Sequence, residues 1–89
     1  MPQIEIYTSP LCGYCHAAKR LLNAKGADFT EINVWDEPGR KPEMIERSGG
    51  RRTVPQIFID GVHVGGCDEL HALERAGRLD SMLAAGQEG

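Results

Sequence analysis

The 89-residue chain has no apolar run approaching the roughly 20 residues that a membrane-spanning helix needs. A membrane protein is therefore not expected. It has no excess of positive charge either: ten Lys and Arg against thirteen Asp and Glu leave a net charge of −3, which argues against a nucleic-acid partner. The basic residues do gather locally, in Lys19, Arg20 and Lys25 and again in Arg40, Lys41, Arg47, Arg51 and Arg52, as a basic rim on an acidic body. Met1 to Glu5 shows no basic segment followed by an apolar one, so no secretory leader is expected, and the expected compartment is the cytoplasm. Cysteine is scarce, three in all. In a reducing compartment these would rest as thiols, which favours a cycling disulfide over a structural staple. There is no internal repeat and no linker, and residues 1–89 are expected to form one domain.

What is present is an ordinary globular composition, 40% hydrophobic and 26% charged, which sets aside the disordered and fibrous classes. Gln3 to Tyr7 alternates Ile4 and Ile6 with Glu5, the pattern of a short strand, and Thr8, Ser9 and Pro10 break it. From Tyr14 to Lys25, Ala17, Ala18, Leu21 and Leu22 recur at helical spacing, and Gly26 is placed to end the helix. Phe29 to Val34 reads as a second strand, parallel to the first because a helix crosses between them. Pro42 at a first helical position, with Met44 and Ile45, predicts a brief helix closed by Ser48, Gly49 and Gly50. Gln56 to Ile59 and Val62 to Val64, joined by Asp60 and Gly61, form a hairpin signal. Asp68 to Ala76 and Leu79 to Ala85 follow as helices, with a tail from Gly86 expected to fray. Trp35 falls on a loop, packing over the core edge, with no function assigned.

The chemistry starts at Cys12, Gly13, Tyr14 and Cys15, between the first strand and the first helix. A sulfur there faces the unpaired N–H groups and the positive end of the helix dipole, both of which favour its charged form. Cys15, three residues on, can face Cys12 across the first turn and act as a resolving thiol. Two cysteines at this spacing can also be half of a zinc site. A closed site needs two more ligands, and Cys67, His16, His63 and His71 form no second close-spaced pair. His16 reads as a partly exposed helix residue and Cys67 as a small residue packed at a helix start. A CxxC beside a βαβ pattern points to a thioredoxin-like redox site.

Two further segments complete the pattern. Pro55 precedes a strand, where its missing N–H costs nothing, and on local sequence alone a trans bond is the simpler reading. A cis bond would instead leave the Val54 backbone free to pair with an extended substrate. Gly65, Gly66, Cys67 and Asp68 run into a helix start, where close backbone approach and free N–H groups suit a carboxylate. Asp68 can cap that helix or face an ammonium group.

Taken in order, CGYC after the first strand, TVPQIFI at the third and GGCDEL at the next helix resemble a glutaredoxin, over roughly Gln3 to Leu83. The resemblance implies an α/β thioredoxin fold, a four-stranded mixed sheet with helices on both faces, in the order βαβαββα plus a short C-terminal helix. It implies a glutathione-dependent thiol–disulfide oxidoreductase, with glutathione as co-substrate and glutathionylated or disulfide-bonded proteins as clients. By position, Cys12 is the nucleophile and Cys15 the resolving cysteine. Tyr14 is a groove wall, Val54 pairs with the glutathione backbone beside cis-Pro55 with Thr53 adjoining, and Gly66, Cys67 and Asp68 hold the γ-glutamyl group. Two departures stand out. Gly13 replaces the proline of most dithiol members, and Ser9 replaces a lysine, for which Arg40, Lys41, Arg51 or Arg52 would substitute. Relatives with glycine at the first position include carriers that bridge a [2Fe-2S] cluster between two subunits through the first cysteine and glutathione. That is the alternative to the reductase, and the chain is expected to be a monomer unless cluster-bound.

Overall fold

A computed structural model describes residues 2–85. The elements run β1 (Ile4–Thr8), α1 (Gly13–Ala24), β2 (Thr30–Asn33), α2 (Arg40–Arg47), β3 (Gln56–Ile59), β4 (Val62–Gly65), α3 (Cys67–Arg75) and α4 (Leu79–Ala85). The strands form one sheet in the order β2-β1-β3-β4, with β1 parallel to β2 and antiparallel to β3, and β4 antiparallel to β3. This is the mixed four-stranded sheet of the thioredoxin fold expected from the sequence. The tail from Gly86 lies outside the described residues. No helix among those described is long and apolar enough to cross a membrane.

The strand period of two sorts the side chains onto opposite faces. Ile4 and Ile6 of β1 and Ile57 and Ile59 of β3 pack with Ala18 and Leu22 of α1, Leu70 of α3, and Leu79 and Leu83. Tyr7 and Phe58 face the other way, with Ile32 and with Met44 of α2. Each fully buried leucine on the first face contributes about 1.5–3 kcal/mol. Helix α1 ends where Gly26 takes a φ of +67°, with its N–H on the Asn23 carbonyl and that of Ala27 on Leu22, a closure that satisfies carbonyls the helix leaves free. The Asp60–Gly61 hairpin holds both residues at positive φ, 51° and 80°, as the sequence signal predicted.

Three local expectations change. Helix α2 begins at Arg40, so Pro42 is its third residue rather than its first; the early N–H groups lack intrahelical partners, and proline loses nothing there. The N-cap of α3 is Gly66, not Asp68, because Glu69 Oε1 accepts from the Gly66 N–H at 2.9 Å. Trp35 is 75% exposed rather than packed on the core edge. Asn33 Oδ1 accepts from the N–H groups of Trp35 and Asp36, which turns the chain outward there.

Carboxylates tie the elements together. Thr8 Oγ1 donates to Glu31 at 2.7 Å and Lys19 Nζ lies 3.0 Å away, so the threonine hydroxyl and then the ammonium hold Glu31 below the ordinary value of 4.5. Glu43 is lowered first by the Tyr7 hydroxyl and then by Arg40. A depressed carboxylate stabilises the fold above its ordinary value and stops doing so as pH falls through its folded value. Thermal stability is therefore expected to hold from pH 7 to about 5 and to decline below about 4.5. A melting temperature unchanged down to pH 3 would rule this out.

Candidate functional site

Cys12 caps α1 in an extended conformation, φ −115° and ψ 107°, and its Sγ accepts from the Cys15 N–H at 3.2 Å. One of the unpaired donors at the helix start is thus directed at the sulfur. The same Sγ lies 3.6 Å from the Val54 carbonyl, which brings the start of α1 against the segment before β3. All three cysteines are free thiols. Cys12 is partly exposed, whereas Cys15 is fully buried. Burial, and then the hydrogen bond with Cys12, push the Cys15 thiol up to about 12, so it stays protonated at neutral pH. The two sulfurs differ in access by one helical turn.

The Val54–Pro55 bond is cis. Thr53, Val54 and Pro55 form one wall of an open groove of about 260 Å³, Gly66, Cys67 and Asp68 form another, and Tyr14, 68% exposed, stands beside them. Every residue assigned to substrate binding from the sequence meets in this groove. Arg51 and Glu69 line it as well. On sequence alone Arg51 is one of four interchangeable basic residues, with Arg40, Lys41 and Arg52. Of the others, Arg40 is engaged by Glu43 at 2.9 Å and Glu37 at 3.6 Å, and Lys41 and Arg52 do not line the groove.

Glu69 was not foreseen, although a glutamate three residues after a capping glycine is a readable signal. Its carboxylate takes the Gly66 N–H and stands 2.9 Å from Arg51 Nη2, and these two, the N–H first, hold it below the ordinary value. One carboxylate thereby links the start of α3 to the cation at the groove's rim. Gly65 makes room for it. At φ +121° a Cβ there would lie 2.5 Å from Glu69 Oε1 and 2.9 Å from its Cγ. Gly65→Ala should displace Glu69, strain the backbone and cost about 1–3 kcal/mol. Urea unfolding measures this, and a cost below about 0.5 kcal/mol would show that the backbone adapts freely.

Cys67 sits among these residues but differs from Cys12. It is buried, and burial followed by the Asp68 charge pushes its thiol up. His71 Nδ1 lies 2.9 Å from the Cys67 carbonyl and 3.4 Å from its sulfur. A carbonyl only accepts, so Nδ1 carries the proton and cannot take one from the thiol. His16 is exposed on α1.

Gly13 is exposed, and a Cβ there would meet nothing within 4 Å. Packing does not require glycine at this position. Among the described residues no group of three or more His, Cys, Asp or Glu could hold a metal ion.

The glutaredoxin family model matches residues 4–64. Glutaredoxin 3 of Escherichia coli K12 is 53% identical over 83 residues, which cover 93% of this chain and 99% of that protein. The solution structure of glutaredoxin from Brucella melitensis superposes with a TM-score of 0.83 at 57% identity, covering 97% of this chain and 92% of that one. The buckwheat glutaredoxin–glutathione complex gives 0.86 at 32% identity, covering 94% and 78%. With a matching sheet, a helix-start dithiol and relatives matched over most of their length, this chain belongs to the glutaredoxin family of glutathione-dependent thiol–disulfide oxidoreductases.

Proposed function

We propose that Cys12 is the nucleophile and Cys15 the resolving thiol of a reductase acting on protein–glutathione mixed disulfides and on protein disulfides. The observation that carries this is the accessible Cys12 sulfur, held by the Cys15 N–H beside the Val54 carbonyl, with a buried protonated partner one turn away. The Cys12 thiolate attacks the glutathione sulfur of a mixed disulfide, forming a Cys12–glutathione disulfide as the client leaves as a thiolate. A second glutathione thiolate attacks the glutathione sulfur of that intermediate, releasing oxidised glutathione and regenerating Cys12. With a protein disulfide, Cys12 first bonds to one client sulfur; Cys15 then loses its proton, attacks Cys12 and expels the client, and two glutathiones reduce the resulting disulfide.

In this reading glutathione lies along the groove. Val54 pairs with its backbone beside Pro55, with Thr53 adjoining and Tyr14 as a side wall. Gly66, Cys67 and Asp68 take the γ-glutamyl end: the free N–H groups at the start of α3 suit its carboxylate and Asp68 its ammonium. Arg51 supplies a cation at the rim. The protein works as a monomer of one domain in the cytoplasm, on glutathionylated or disulfide-bonded clients, with no nucleic-acid partner. The test is reduction of a glutathionylated peptide with glutathione as donor, compared with a thioredoxin-type reductase as donor. Turnover with glutathione and little with the reductase is the expected result; the reverse would overturn the reading.

A further inference from the structure

Gln56 opens β3 directly after Pro55 and is fully buried, an unusual place for a primary amide unless both its ends are satisfied. Its Nε2 donates to the Thr53 carbonyl at 3.0 Å and approaches Thr53 Oγ1 at 3.3 Å. At its other end Oε1 lies 2.7 Å from His63 Nε2 on β4. The donors and acceptors in this chain can be assigned. The Thr53 carbonyl only accepts, so the amide nitrogen faces it; the amide oxygen then faces His63, and His63 Nε2 must carry a proton. His63 is itself held in place, its ring tilted on Phe58 with centroids 5.0 Å apart. Burial first, and then the charge of Arg51, lower His63 from the ordinary value of 6.5, which leaves the ring neutral near pH 7 with its one proton on Nε2. An imidazolium would also donate from Nε2, so the link to Gln56 survives protonation.

Thr53 and Val54 are otherwise a short irregular stretch at the groove wall, with Thr53 exposed and Val54 half-buried. Val54 packs on the cluster of Tyr7 and Phe58, and the buried amide is the side-chain link that ties Thr53 to the sheet. We infer that Gln56 and His63 are positioning residues for the glutathione groove: they fix Thr53, and through it the backbone of Val54, at the place where the substrate must pair. Neither touches the reacting sulfurs. This rests on the groove assignment made above and extends it two residues deeper, into the sheet.

The experiment uses the full chain. Gln56→Leu keeps the volume and removes both ends of the link. The apparent KM for a glutathionylated peptide should rise about two- to tenfold, the factor corresponding to a hydrogen bond's net contribution. The kcat and the rate of Cys12 alkylation by iodoacetamide should stay at wild-type values, which general loosening of the fold would not allow. His63→Phe, which keeps the ring against Phe58 but lacks the donor, should raise KM in the same direction, and His63→Gln should recover part of the loss. Backbone order parameters of Thr53 and Val54, measured without glutathione, should fall from about 0.85 toward about 0.6 in Gln56→Leu. An unchanged KM and unchanged order in folded Gln56→Leu overturns the inference. If that variant does not fold, the same unchanged result in His63→Phe overturns it. Loss of order at Thr53 in a protein whose wild type does not turn over the glutathionylated peptide would uphold the link and discard the groove assignment.

Discussion

Cys12→Ser should lose all glutathione-dependent reduction, whereas Cys15→Ser should keep deglutathionylation and lose only the reduction of protein disulfides. The asymmetry follows from position. Cys12 is the one partly exposed sulfur of the three, and Cys15 and Cys67 are both buried with their thiols pushed up. Burial and the hydrogen bond with Cys12 keep the Cys15 thiol protonated and out of reach of a substrate, so it does not open the reaction. Once Cys12 is bonded to glutathione, a second glutathione can finish the cycle without it. Closing an internal disulfide does require it. Steady-state assays with a glutathionylated peptide and with a protein disulfide separate the two activities. Brief iodoacetamide treatment of the folded protein should label Cys12 alone by mass spectrometry. Full activity in Cys12→Ser would sink the assignment of roles.

The largest stability effect is expected at Phe58. Its ring is 1% exposed, meets Tyr7 edge-on with centroids 5.7 Å apart at 76°, and tilts against His63. Arg47 lies over it, the guanidinium carbon 4.1 Å from the ring centre, while pairing with Glu5 at 2.9 Å and donating to the Tyr7 hydroxyl at 2.8 Å. Removing the ring leaves a cavity and also strips the apolar platform from a half-buried cation. Phe58→Ala should cost about 3–5 kcal/mol, a large part of the roughly 5–15 kcal/mol that holds a small domain together. Phe58→Leu keeps most of the volume and loses the cation–π contact, so it should cost less than half as much. Urea midpoints at constant m value measure both. A cost below about 1.5 kcal/mol for Phe58→Ala would mean that α2 closes over the gap.

The order of elements was readable from the chain because its signals are local. The alternation of Ile4 and Ile6, the helical spacing of Ala17, Ala18, Leu21 and Leu22, and the Asp60–Gly61 turn each depend on neighbours a few residues away. That Thr53 to Pro55 and Gly66 to Asp68 line one groove, with Cys12 capping α1, was foreshadowed in the sequence because each sits at an element boundary, where backbone groups are left free. What could not be read depends on register. His63 meets Gln56 only because β3 and β4 pair with an irregularity between Ile57 and Phe58, which spacing does not announce. Arg51 was indistinguishable from Arg40, Lys41 and Arg52 until the loop before β3 placed it opposite Glu69. The start of α2 was misjudged because proline at a third helical position is as tolerable as at a first. Trp35 was misplaced because an asparagine side chain, not an apolar contact, directs that turn.

The pairing of β1 has a consequence for how activity is acquired and lost. This strand lies between β2 and β3, with Ile4 opposite Ile59 near the far end of the hairpin, and the Cys12 sulfur meets a carbonyl 42 residues along the chain. A truncated chain ending before β3 would retain both cysteines of the CxxC and lose the wall of the groove formed by Gly66, Cys67 and Asp68. The reactive pair and its specificity are therefore a property of the whole cooperative unit rather than of any segment. Enzyme activity and helical circular dichroism should disappear in urea along one coincident transition, because the two walls of the groove are joined to β3 and to the start of α3, parts of one small cooperative unit.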